Sequence, residues 1–176
     1  DGLTIVFAFA GIYAAKVFGF PPETVLMFAI AVNFTCGIGA FVGGWVDDKL
    51  GSFLTIRLSL VFLTLFGLGV ILAPNGFWFW VLGLTVGLFI GPVQSASRSL
   101  ISHQVPSEHR AQIYGFYMLS GKITSFLGPT FYASIVLWTN NERAGMFVAV
   151  VFFIIGLLVL GRKEPGYISI NQNKHI

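Results

Sequence analysis

The feature that most constrains this chain is a series of six long apolar stretches separated by short polar breaks. A helix needs about 20 consecutive apolar residues to cross a bilayer. The stretches are too long for barrel strands, and they lack the period-2 alternation that separates a lipid face from a lumen face. The sequence therefore predicts an all-α integral membrane bundle of six helices within residues 1–161. The predicted spans are approximately residues 3–20, 24–46, 53–73, 77–97, 114–139 and 145–161.

The composition supports a chain that is solvated by lipid. Hydrophobic residues make up 56% of the sequence and charged residues 10%, whereas soluble domains carry about 25% charged residues. The basic residues are scattered and do not form the basic patch that nucleic-acid binding requires. The single cysteine, Cys36, and the three histidines lack metal-ligand spacing. We therefore predict no metal, no cofactor, no nucleic-acid partner and no enzymatic activity.

Residues typical of turns separate the apolar stretches. Proline, glycine and asparagine are frequent in these breaks because they favour turns and interrupt helices. The breaks are Pro21-Pro22, residues 47–51, Pro74-Asn75-Gly76, Pro106-Ser107-Glu108 and Thr139-Asn140-Asn141.

The distribution of basic residues predicts the orientation of the bundle. Most of them fall on the side that holds the 47–57 and 98–112 connections and the polar tail, residues 162–176. By the positive-inside rule this side is cytoplasmic, so both chain ends are expected in the cytoplasm. The sequence begins at Asp1 without Met, and we expect this start to be an internal point in a longer product. The basic residues on the predicted cytoplasmic side are Lys49, Arg57, Arg98, Arg110, Arg162, Lys163 and Lys174, against Lys16 and Arg143 on the other.

Glycines at four-residue spacing predict close contacts between helices. Gly83, Gly87 and Gly91 form two successive GxxxG steps, and Gly39 and Gly43 form another. Small residues at this spacing let helix backbones approach closely. Pro92 and Pro129 lie within the fourth and fifth spans and are expected to kink them, since proline removes a backbone hydrogen bond.

A polar face at the end of the fourth span is a candidate transport path. Gln94, Ser97 and Arg98 follow i, i+3, i+4 spacing and so share one helix face. Arg98 also fits a simpler interpretation, an anchor whose charged end snorkels to the cytoplasmic surface. Snorkelling likewise explains Lys16 near the other membrane surface.

Lys122 is the most unusual charge in the sequence. It lies about 14 Å into the fifth span, close to the bilayer midplane, where an unpaired charge costs at least ~2.5–3.5 kcal/mol. Tyr117 shares its helix, and Asp1 is a candidate charge partner for Lys122 or for substrate and proton. The alternative is a structural ion pair between Lys122 and a carboxylate on another helix.

Three stretches resemble a known transporter superfamily. The segment GWVDDKLG, residues 44–51, resembles the cytoplasmic G-x-x-x-D-[RK]-x-G-[RK]-[RK] signature of major facilitator transporters. Gly44, Asp48, Lys49 and Gly51 match, whereas Ser52-Phe53 departs from the basic pair. Residues 91–129 and the opening DGLTIVFAFAGIYAAKVFG are similar to the C-terminal half of the UMF family, the vacuole effluxer-like major facilitators.

This resemblance implies a fold and a function. The fold would have twelve helices in two halves, and this chain would be the second half, built from two inverted three-helix repeats. The function would be secondary transport of a small solute, with amino acid-like molecules as one candidate, by alternating access in a bacterial inner membrane. The partners would be lipid, the solute and another six-helix half, in the same chain, a homodimer or another subunit. The alternative is a non-transporting membrane subunit that docks in a larger complex or a homodimer.

Overall fold

The computed structural model describes residues 2–104 and 109–162 of the chain. These two ranges fold entirely as helices and short connections, without a strand, which confirms the predicted all-α membrane bundle. Asp1, residues 105–108 of the predicted cytoplasmic connection and residues 163–176 of the predicted tail lie outside the described residues. The helices are α1 (Gly2–Phe18), α2 (Pro22–Leu50), α3 (Ser52–Leu72), α4 (Gly76–Gln104), α5 (Arg110–Thr124), α6 (Leu127–Thr139) and α7 (Glu142–Arg162).

The helices differ in whether each could cross a bilayer alone. Helices α2, α3, α4 and α7 are long and apolar enough to do so, and α1 is a shorter apolar helix. Helices α5 and α6 occupy the predicted fifth span, which the structure divides at Ser125 and Phe126. Pro129 has no N–H to donate to the Ser125 carbonyl four residues earlier, and the helix breaks one turn before it. The predicted disturbance at Pro129 is therefore confirmed, whereas α4 continues through Pro92.

The predicted turn residues within the described ranges coincide with the helix ends. Gly51 alone connects α2 to α3, so the predicted 47–57 connection shortens to one residue because α2 continues to Leu50. Gly51 has φ 84°, a conformation that residues with a Cβ atom rarely adopt. Asn140 ends α6 in the left-handed conformation, at φ 48°, and donates its N–H to the Val136 carbonyl at 2.8 Å.

Helix α4 lies at the centre of the bundle and packs between α2 and α3. Gly83, Gly87 and Gly91 of α4 face α2. A Cβ atom on Gly91 would overlap the α2 backbone at Cys36, and one on Gly39 would overlap the α4 backbone at Leu88. A Cβ atom on Gly43 would lie 2.6 Å from the Cβ atom of Pro92. The prediction of close helix contact through the GxxxG steps is therefore confirmed.

The bundle has two ends, named here after a residue at each. The Lys16 end comprises the C-terminal ends of α1, α3 and α6 and the N-terminal ends of α2, α4 and α7. The Asp48 end is opposite. A cluster of aromatic rings fills the Lys16 end, with ring centroids between 4.7 and 6.0 Å apart. Its members are Tyr13, Phe18, Phe20, Phe28, Phe79 and Trp80.

Polar contacts also join the helices at the Lys16 end. The Lys16 ammonium pairs with the Glu142 carboxylate, whose other oxygen accepts a hydrogen bond from the Tyr132 hydroxyl at 2.6 Å. The Arg143 guanidinium donates to the Ala73 carbonyl just beyond α3, at 3.3 Å. The Tyr13 hydroxyl lies 3.4 Å from the Ile71 carbonyl oxygen of the same helix end. Lys16 therefore has a specific partner on α7, which the snorkelling interpretation did not include.

Candidate functional site

One pocket brings together five of the six candidate path residues. It has a volume of about 370 Å³ and lies between α4 and α5, with Leu3 of α1 also lining it. The sixth candidate, Asp1, lies outside the described residues. The five residues that line the pocket are Gln94, Ser97 and Arg98 from α4 and Tyr117 and Lys122 from α5.

The α4 wall of the pocket follows from helix geometry. Gln94, Ser97 and Arg98 lie within one turn on one face of a continuous helix, because residues at i, i+3 and i+4 are neighbours there. The side chains of Gln94 and Arg98 are exposed, whereas Ser97 is half-buried. The Ser97 hydroxyl donates to the Val93 carbonyl at 2.6 Å, so its proton is directed at the backbone rather than at the pocket.

The α5 wall is exposed along nearly its whole length and has no extensive contact with any other described helix. Its hydroxyls bond to their own backbone. Ser120 donates to the Tyr117 carbonyl at 2.9 Å, and Ser125 donates to the Lys122 carbonyl at 2.8 Å. The hydroxyl of Tyr114 joins the two walls by donating to the Arg98 carbonyl at 2.7 Å. This bond holds the start of α5 against the polar face of α4.

The pocket carries positive charge from both walls. Arg98 and Lys122 both line it, and no carboxylate lines it within the described ranges. Neither cation forms an ion pair with any residue that the structure describes. The ion pair found among those residues joins Lys16 to Glu142. The alternative was a structural ion pair between Lys122 and a carboxylate on another helix. No such carboxylate pairs with Lys122 within residues 2–104 and 109–162.

A second pocket adjoins the first on the other side of Gln94 and Arg98, which line both. It has a volume of about 290 Å³ and reaches Asn33 on α2. Asn33 also lines a smaller apolar cavity of about 120 Å³ in the bundle interior. Its amide donates to the Ala29 carbonyl of its own helix at 2.8 Å. Sequence reasoning missed Asn33, although a lone amide in the apolar 24–46 stretch was the signal available.

The loop motif lies at the Asp48 end, apart from the lining of these pockets. Gly51 supplies the positive φ between α2 and α3, while Gly44 faces open space and Asp48 is exposed. The Lys49 ammonium lies 3.6 Å from the centre of the Trp45 ring, a cation–π arrangement. Unlike the exposed Asp48, its neighbour Asp47 has a buried carboxylate oxygen. This atom, Oδ1, has no hydrogen-bond partner among the described residues.

Metal binding has no support in the described part of the chain. Within residues 2–104 and 109–162, no three histidine, cysteine or acidic side chains are grouped so that they could hold a metal ion.

The chain is thus an integral membrane helical bundle with a polar, positively charged pocket between two of its helices. Its family follows from comparison with known proteins. The chain belongs to the family described as Vacuole effluxer Atg22 like, whose pattern it matches over residues 1–163. The predicted resemblance to vacuole effluxer-like major facilitators is confirmed. No solved structure matches the chain.

Several characterised or named relatives share parts of the sequence. The uncharacterized MFS-type transporter YxiO of Bacillus subtilis is 33% identical over 82 residues, which are 47% of this chain and 19% of the relative. Autophagy-related protein 22 of Yarrowia lipolytica is 25% identical over 185 residues, covering 96% of this chain and 31% of the relative. The cis,cis-muconate transport protein of Acinetobacter baylyi is 23% identical over 122 residues, covering 69% of this chain and 29% of the relative. The matches therefore span less than a third of each of these relatives.

Proposed function

We propose that this chain forms the C-terminal six-helix half of a secondary-active major facilitator transporter that moves a small solute. Membership of the Atg22-like family supports this, as do relatives named as transporters, one of cis,cis-muconate and one a probable inositol transporter. The observation that carries the proposal is the pocket between α4 and α5. Arginine, lysine, glutamine and tyrosine side chains converge there.

The chemistry of the pocket supports a second half that covers it. Charged side chains within membrane segments face a bundle interior or a water-filled cavity, because lipid cannot solvate them. Gln94, Arg98 and Lys122 are exposed in this chain. A partner half packed along α4 and α5 encloses them in a cavity between the halves. Rocking of one half against the other then exposes the cavity to each side of the membrane in turn.

The predicted topology completes the proposal. Helices α5 and α6 together form the fifth span, so the bundle has six spans in two inverted three-helix repeats. The Asp48 end, with the loop motif, faces the cytoplasm of a bacterial cell, and both ends of the chain lie on that side. The solute is small, and amino acid-like molecules are among the candidates. Arg98 lies toward the cytoplasmic opening, and Lys122 lies deeper.

Transport by the purified full-length polypeptide in liposomes tests the function. We expect uptake of a labelled solute from a panel of amino acids, dicarboxylates and polyols, driven by a proton or sodium gradient. Lys122→Met should lower the rate at least about tenfold, because a charge at the site of binding is lost. Arg57→Gln is the matched control, since Arg57 is also an exposed cation but does not line the pocket. Unchanged transport in Lys122→Met would remove Lys122 from the mechanism.

The location of the second half requires a separate measurement. It is expected in the same polypeptide, in a second copy or in another subunit. The denatured mass of the polypeptide purified from its own cells, compared with its native mass in detergent, distinguishes these arrangements. A native assembly containing only one six-helix half would contradict the proposed transporter.

The exposed α5 also supports a second candidate, a membrane subunit that does not transport. A helix with little contact to its own bundle presents a surface for another protein. This candidate predicts a different membrane protein that co-purifies at fixed stoichiometry, with no transport of any solute in the panel. Transport by the purified chain alone, or by its homodimer, would exclude it.

A further inference from the structure

We propose that the pocket between α4 and α5 binds a small organic dianion, with one carboxylate at Arg98 and the second at Lys122. This inference rests on the proposed function, since it names the solute class for the same pocket. It narrows the class from small solutes in general to those with two negative charges. The charges, the hydrogen-bond donors and the size of the pocket support a dianion.

The charge of the described lining favours a ligand that neutralises two cations. Arg98 and Lys122 line it from opposite walls, and the described lining contains no carboxylate. A ligand that enters the pocket displaces water from both cations. A neutral or singly charged ligand would leave at least one of them desolvated and unpaired, which is strongly unfavourable. A dianion pairs with both.

The hydrogen-bonding groups favour carboxylates over hydroxyls or amines. The protons of Ser97 and Ser120 are directed at backbone carbonyls, so these serines present little donor capacity to the pocket. Gln94 and Tyr117 also line the pocket. Together with the two cations they supply N–H and O–H donors, which suit the acceptor-only oxygens of a carboxylate. The planar guanidinium of Arg98 can bind one carboxylate through two parallel bonds.

The dimensions of the pocket suit a small ligand. Its volume of about 370 Å³ lies at the lower end of the range for small-molecule sites. Because Lys122 lies about 12 Å along α5 from Tyr114, which contacts Arg98, the cations are staggered along the pocket. Both cations end long, flexible side chains, so the dianion that binds best depends on its chain length, and dianions of four to six carbons are compared for this reason.

Ligand-induced stabilisation of the full-length protein in detergent tests the inference directly, because a ligand that binds the folded state raises its unfolding temperature. The probes are the four-carbon set succinate, butyrate, 4-aminobutyrate and 1,4-butanediol, with glutarate and adipate as longer dianions. We expect at least one dianion to bind at least about tenfold more tightly than butyrate, 4-aminobutyrate and butanediol. If none of the dianions binds more tightly than butyrate or butanediol, the inference is wrong.

Substitutions assign the two carboxylates. Arg98→Gln and Lys122→Met should each weaken dianion binding about 10- to 100-fold, because each removes the charged hydrogen bonds to one carboxylate. Arg57→Gln should leave it unchanged. Arg98→Lys and Lys122→Arg keep the charge and should recover part of the affinity if the folded protein is intact. Dianion binding that survives the loss of both cations would overturn the assignment.

Binding and transport can fail separately. Dianion binding without transport supports the inference but contradicts the proposed transporter. Transport of a neutral solute with no preference for dianions supports the transporter and overturns the inference. Tighter binding of 4-aminobutyrate than of succinate would also overturn it, since the ammonium group would then require an acidic partner in the site.

Discussion

Helix α4 meets its two neighbours, α2 and α5, in opposite ways. Toward α2 it presents Gly83, Gly87 and Gly91, and the two backbones approach so closely that a Cβ atom at Gly91 would overlap the α2 backbone. Toward α5 it presents Gln94, Ser97 and Arg98, and a pocket of about 370 Å³ separates the helices. The α2-facing side of α4 therefore leaves no room for side chains at its glycines, whereas the α5-facing side carries polar side chains that line a pocket.

The difference shows how one helix serves two requirements. Close packing against α2 relies on shape, and any added atom disrupts it. The α5 side relies on charge and on space that a ligand can occupy. Substitutions on the first side should therefore affect stability, and those on the second should affect binding while leaving stability nearly unchanged. Gly39→Leu and Lys122→Met test this division directly, and two substitutions elsewhere in the bundle lie between them in their expected effect on stability.

Gly39→Leu should destabilise the α2–α4 contact most, by at least about 3 kcal/mol, because the new side chain overlaps the Leu88 backbone on α4. The unfolding midpoint in detergent measures the loss. Gly37→Ala is the matched control, since Gly37 lies on the same helix and faces open space, and its stability should equal or exceed that of the wild type. A similar loss in Gly37→Ala would mean that the loss in Gly39→Leu does not come from contact with α4.

Glu142→Gln should destabilise the Lys16 end by about 1–2 kcal/mol, because the ion pair with Lys16 is lost while Tyr132 keeps an acceptor. A double-mutant cycle with Lys16→Met isolates the pair. We expect the two substitutions together to cost less than the sum of the single costs. Strict additivity would mean that the Lys16 contact contributes nothing to stability.

Pro129→Ala should join α5 to α6 into a more continuous helix. Alanine restores an N–H that can donate to the Ser125 carbonyl, and the expected gain in stability is about 1 kcal/mol or less. Hydrogen exchange of residues 121–130, followed by mass spectrometry, should slow in the variant. Unchanged exchange there would mean that surrounding packing, rather than the proline, breaks the span.

Lys122→Met should change the unfolding free energy least, by about 0.5 kcal/mol or less, because Lys122 is exposed and has no ion pair within the described residues. The same variant is expected to lose ligand binding, which is the reverse of the pattern at Gly39. A large loss of stability in Lys122→Met would place Lys122 in a structural contact and would erase the contrast between the two faces of α4.

The parts of the fold that depend on nearby residues could be predicted from the sequence. The GxxxG spacing, the turn residues at Gly51 and Asn140, and the shared face of Gln94, Ser97 and Arg98 are all local patterns. Their consequences follow from helix geometry alone. The cost of charge in lipid singled out Lys122, but its place in a pocket beside this face required the structure.

Contacts between distant residues were not visible in the sequence. The pairing of Lys16 with Glu142 joins side chains 126 positions apart, and no periodicity connects them. The same holds for Asn33, whose place beside Gln94 and Arg98 depends on how α2 packs on α4. The break at Ser125 and Phe126 was expected near Pro129, but a proline can also remain inside a continuous helix, as Pro92 does in α4.

The connection through Gly51 has a mechanical consequence for the whole bundle. A single residue has only two soft backbone torsions, so α2 cannot slide lengthwise without carrying the start of α3 with it. Both helices also pack on α4. The three helices are therefore tied together, whereas among the described helices α5 has few contacts with the others and is held at its near end by the Tyr114 hydrogen bond.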